Sequence, residues 1–79
     1  MRHELKIDAP YLRAKLEGNK LFEIRFDDRG YQKGDIVMYK EHKISEVLIH
    51  TFEITYVTGF MQKDNYVVFG EKFIHTKKH

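Results

Sequence analysis

Seventy-nine residues with fourteen Lys and Arg, twelve Asp and Glu and no cysteine describe one small domain without disulfides, thiolate nucleophiles or cysteine-held metal. Net charge is +2, and without Lys77-Lys78-His79 the body stands at twelve positive against twelve negative side chains, a balance that excludes a general role in coating duplex DNA. No apolar run approaches the roughly 18 residues of a membrane span, and Met1-Arg2-His3-Glu4-Leu5-Lys6 lacks a signal-peptide core, which points to a cytoplasmic protein without membrane partners.

A domain of this size buries only about 60% of the surface of its unfolded chain, so six Phe and five Tyr must supply much of a thin core. His3 to Asp8 alternates as a short first strand, with Leu5 and Ile7 on one side. Asp8 then caps a helix with Pro10 in its first turn, Leu12 and Leu16 on one face and Gly18 as its stop. Leu21 to Phe26 reads as a second strand. The polar residues 27–35 form a loop that turns at Lys33-Gly34-Asp35 before a strand at Ile36 to Glu41. After a connection at His42 to Glu46, Val47 to Thr58 is a long strand whose apolar residues change parity, which predicts a bulge. A turn over 59–65, a strand at Tyr66 to Phe69 and a break at Gly70-Glu71 before Phe73 and Ile74 complete a domain of residues 1–75. Residues 76–79 are expected to fray. The pattern predicts a mainly β, α+β fold: a small, curved, mostly antiparallel sheet with one or two helices, closing toward a β-barrel that hides its edges.

The chemistry concentrates after the helix stop. Alternation places Phe22, Ile24 and Phe26 on one face of their strand, expected to be buried, and Glu23 and Arg25 on the other, facing solvent or a cleft, with Lys20 at the strand start. As a site, Lys20 and Arg25 contact phosphate or a base edge, and Glu23 orients them or accepts from a base amino group. As bland structure, the same trio is a surface ion pair worth about 0 to 1 kcal/mol. Arg29, beside Asp27 and Asp28, is a candidate for the mouth of a cleft. Tyr31 is either a stacking platform or core. His3, His42, His50, His75 and His79 form no ligand set, so neither metal nor cofactor is expected.

The pattern Gly18-x-Lys20-x-x-Glu23-x-Arg25, followed by Gly34-Asp35 before an apolar strand, resembles the signature of ASCH domains, which have a PUA-like β-barrel fold. The opening His3-x-Leu5-Lys6, Asp27-Asp28-Arg29 and Ile54-Thr55-Tyr56-Val57 are similar to a small stand-alone branch found in bacteria and their phages. The resemblance implies binding of RNA or a modified nucleotide in a cleft beside the motif, and adds His3 and Lys6 as candidate ligand-binding positions. Some ASCH proteins are amidohydrolases of N4-acetylcytidine. Their motif lysine is matched by Lys20, but their threonine is replaced here by Glu23, and Glu53 and Glu71 are only nominal counterparts of their later glutamate. A carboxylate beside Lys20 works against a nucleophilic amine. A small amidohydrolase using Lys20, and an interaction accessory with a vestigial cleft, stand as the alternatives to a binding module.

Overall fold

The computed structural model describes all residues, 1–79, as five strands and one helix: β1 (Arg2–Leu5), α1 (Ala9–Leu16), β2 (Phe22–Phe26), β3 (Ile36–His42), β4 (Val47–Thr58) and β5 (Tyr66–Lys78). β4 shows the expected irregularity, with register shifts between Thr51 and Phe52 and between Ile54 and Tyr56. Ile54 and its partner Glu71 lie inward in phase with Phe52, and beyond the second shift the inward face changes parity, so that Val57 packs on the core while Tyr56 is exposed. No helix is long and apolar enough to cross a membrane.

The strands form one sheet in the order β1-β3-β4-β5-β2, antiparallel except for β1 against β3, which is parallel. β1 and β2 are therefore the two edges, yet curling brings them opposite each other. Arg25 Nη2 donates to the Lys6 carbonyl at 2.8 Å, and Arg29 Nη1 to the Glu4 carbonyl at 3.2 Å. The expected small barrel is thus a half-barrel, its seam bridged by guanidinium groups instead of backbone pairing. Arginines on the edge carbonyls also blunt an edge that would otherwise invite another strand.

β5 departs from the expected break at Gly70-Glu71. It runs on to Lys78 because β4 is long enough to pair with it throughout. Gly70 sits where a Cβ would lie 3.1 Å from Thr55 Oγ1, so a larger residue there would have to push aside the Thr55 side chain at the β4 bulge. The tail expected to fray is also strand: Leu48 pairs with Lys78, and the His79 N–H donates to the Val47 carbonyl at 2.8 Å.

In α1 the Asp8 side chain makes no cap bond, although the Asp8 carbonyl accepts from Tyr11 and Leu12. The C-terminus closes with paired bonds, Asn19 N–H to Ala14 O at 2.8 Å and Gly18 N–H to Lys15 O at 3.1 Å, with Gly18 at φ 81°. That closure needs a left-handed residue, hence Gly18. Leu12 enters the core with Leu5, Val37, Tyr39, Phe52, Ile54 and Phe69, whereas Leu16, its expected companion, is exposed and Lys15 is buried instead. The faces of β2 are likewise reversed. Phe22, Ile24 and Phe26 are exposed and Glu23 is buried. The alternation was right and its phase was not, because the interior this strand faces is polar.

Candidate functional site

At the interior of the half-barrel, Lys15 reaches down from α1 to two carboxylates. Its Nζ lies 2.9 Å from Glu23 Oε2 on β2 and pairs with Glu71 Oε1 on β5, with all three side chains almost wholly buried. Tyr39 Oη on β3 lies 3.1 and 3.0 Å from the two Glu71 oxygens and donates to one at a time. The ammonium also lies 5.2 Å from the Tyr39 ring centre and 5.5 Å from that of Phe52, close enough for cation–π attraction. Each buried polar atom of the cluster has a partner, the condition under which such groups are tolerated in a core.

Glu23 links this cluster to the surface. Its Oε2 also takes Lys20 Nζ at 2.8 Å, and its Oε1 takes Arg25 Nε at 3.0 Å. Lys20 is further held by the Phe22 carbonyl at 2.9 Å and sits 4.8 Å from the Phe22 ring and 5.6 Å from the Tyr11 ring. Above them, along the seam between β1 and β2, opens a cleft of about 1010 Å³. Lys6, Lys20, Arg25, Arg29 and Lys40 line it, against Glu4, Asp8 and Glu23, with Tyr11 and His42 at its sides. Lys40 pairs with Glu4 at 3.4 Å, while Lys6 forms no ion pair. The excess of cations favours an anionic occupant, and the fixed Arg25 fork offers its remaining N–H groups to it.

Burial acts to raise the Glu23 carboxyl, but hydrogen bonds and charge from Lys20 and Lys15 outweigh it and hold Glu23 below its ordinary range. Burial also raises Glu71, and there it wins: Lys15 and Tyr39 only partly offset it, and the charge of Glu23 adds to the rise. These directions have opposite consequences for stability. What the ionised Glu23 contributes is whole above its unfolded value near 4.5 and is lost as the pH falls through the lowered folded value. What the protonated Glu71 contributes is whole below 4.5 and is lost as the pH rises through the raised folded value. Urea midpoints of Glu23→Gln and Glu71→Gln, followed from acid to neutral pH, are therefore expected to diverge. The deficit of Glu23→Gln relative to the parent grows with pH, and that of Glu71→Gln shrinks.

Of the residues singled out in the sequence, Lys6, Lys20, Glu23, Arg25 and Arg29 come together at the cleft. His3 and Tyr31 do not. His3 is buried and its Nε2 donates to Asp35 Oδ2 at 2.8 Å. Asp35 also takes the N-terminal ammonium at 3.1 Å and the Gln32 N–H at 3.0 Å, so it ties both chain start and loop to β3. Tyr31 packs between His3 and Phe69, with ring centres 4.8 and 4.9 Å away, as core and not as a stacking platform. Glu53 pairs with Lys72 at 3.3 Å outside the cleft, which leaves Glu71 as the later glutamate near the motif. Lys15 and Tyr39 escaped sequence reading. The signal for Lys15 was its place three residues after Leu12, which sets both on one face of the helix.

The profile of a family described as a domain of unknown function, DUF3850, matches residues 2–71, which include every residue of the cleft and of the buried cluster. No curated protein matches the chain.

Proposed function

The chain belongs to the DUF3850 family, and we propose that its cleft is a binding site for RNA or a modified nucleotide, read without turnover. The observation that carries this is the fixed cationic wall: Lys20 and Arg25 are both anchored on the buried Glu23 and line an opening of about 1010 Å³. Cations held in place before binding lose little freedom on meeting a phosphate. Tyr11, half exposed beside Lys20, offers a ring to a base, while Lys6, Arg25 and Arg29 meet the phosphate. Glu23 serves as the post that orients them. Three cationic donors already occupy its oxygens, so its contact with a base amino group is secondary. Kinship with ASCH domains of PUA-like fold belongs to the same proposal, resting on Gly18, Lys20, Glu23, Arg25 and the half-barrel they sit in.

The test is an amide chemical-shift titration of the whole chain with nucleosides, nucleotides and short single-stranded RNAs. Shifts are expected at residues 20–30, Lys6 and Tyr11, and Arg25→Ala is expected to weaken binding roughly 10-fold or more, as loss of a charge-assisted contact does. Arg25→Lys, which keeps the charge and loses the fork, recovers only part of it. A cleft unmoved by every ligand defeats the reading. Conversion of N4-acetylcytidine and water to cytidine and acetate, lost in Lys20→Ala, replaces it with the amidohydrolase.

A further inference from the structure

The outer side of the sheet carries large, partly exposed apolar side chains, touched only at its margins by Lys20 against the Phe22 ring and Lys63 against the Tyr66 ring. Register places Phe22, Gly70 and Tyr56 in one row across β2, β5 and β4, then Ile24, Val68 and Thr58, then Phe26 and Tyr66, whose rings meet edge-on at 5.6 Å. Tyr56 is 64% exposed and Ile24, which also borders the cleft, 55%. At the end of this face the β4–β5 turn adds Phe60 and Met61, at 78% and 85% exposed, with Met61 in the left-handed region at φ 62°. A bulky side chain at positive φ is unusual, and here it displays apolar surface to solvent.

We propose that this face is a two-fold interface with a second copy of the chain. A bare large side chain offers on the order of 200 Å², and the six named as exposed, Phe22, Ile24, Phe26, Tyr56, Phe60 and Met61, together present roughly 700 Å². That is close to the about 800 Å² each partner gives to a standard interface, and above what a monomer normally leaves exposed in one patch. Charge selects the occupant. Glu53 and Lys72, which pair across β4 and β5 at 3.3 Å, neutralise each other at the margin, so the face meets its own copy with little like-charge repulsion. A nucleic acid strand needs a cluster of cations, and that cluster lines the cleft, whereas this face has Lys63 against the Tyr66 ring at 5.9 Å. Two sheets stacked by these faces form a sandwich with an apolar centre, and Phe22 and Ile24 bring its rim to the edge of each cleft.

Sedimentation of the whole chain over a range of concentrations tests this directly. The parent is expected to self-associate to a dimer, with amide exchange in β2 and β5 slowing as the dimer forms. Tyr56→Glu places two carboxylates near the axis and is expected to raise the dissociation constant by roughly 30-fold or more, with the circular dichroism spectrum unchanged. Phe60→Ser, in an exposed turn, weakens association without entering the sheet and serves should Tyr56→Glu fail to fold. A parent that stays monomeric at high concentration overturns the proposal, as does a dimer that survives in the folded variants. A monomer whose Tyr56, Phe60 and Met61 resonances, all remote from the cleft, respond to oligouridine overturns it equally, by assigning the face to single-stranded RNA.

Discussion

Lys15→Ala is expected to lose about 3 to 5 kcal/mol of folding stability, because it leaves buried carboxylates without their shared cation. Domains hold roughly 0.05 to 0.15 kcal/mol per residue, so for a chain of this length the loss is a large share of the total, and the denaturant midpoint should collapse. Lys15→Met separates charge from volume. It refills the space beside Tyr39 and Phe52 but still strands Glu71, so it stays well below the parent. Adding Glu71→Gln to Lys15→Met is expected to restore much of the loss, since Glu23 keeps Lys20 and Arg25 as partners and no buried charge is left alone. A Lys15→Met protein as stable as the parent would mean that the ion cluster contributes nothing net.

The same experiment bears on the cleft. Glu23 is positioned from below by Lys15 and from above by Lys20 and Arg25. Without the lower support its carboxylate is free to turn, and the two cations it anchors lose their fixed places. Core and site are therefore one structure here, and the stability of the first sets the geometry of the second.

Local chemistry made the elements legible. Gly18 announced the helix stop, the parity change in Val47 to Thr58 announced the bulge, and alternation marked β2 within a residue of its true start. What stayed hidden was which face of β2 points inward. Alternation has a period and no sign, and hydrophobicity normally supplies the sign by turning Phe22, Ile24 and Phe26 to the core. Here the sign is supplied by Lys15, a helix residue whose burial gives Glu23 an inward counter-charge and which is itself held inside by Glu71, remote in sequence. No local window contains that information. The break expected at Gly70 failed for a related reason: glycine there answers the bulge on the neighbouring strand, and not a turn in its own. The motif residues were legible because they lie within six positions of one another, Lys20 to Arg25, and one strand carries them to the seam.

Phe52→Ala and Phe22→Ala turn the reversed face into a measurement. Phe52 is wholly buried and meets Tyr39 and Phe73 edge-on, with ring centres 5.6 and 5.4 Å away. Truncation leaves a cavity that the rigid sheet cannot close and is expected to remove about 3 to 5 kcal/mol. The cavity also opens beside the Lys15 ammonium, which loses one of its two aromatic neighbours, so coupling between Phe52→Ala and Lys15→Met should exceed that of distant sites. Phe22, close to half exposed on the outer face, has only part of its burial to lose, and in dilute monomer Phe22→Ala is expected to fall by about 1 kcal/mol. An aromatic-inward β2 predicts comparable losses for the two, since both rings would then be core. Urea denaturation of the two variants at low concentration thus decides which side of β2 is the inside, and a loss at Phe22 as large as that at Phe52 would return Glu23 to the surface and dismantle the cleft.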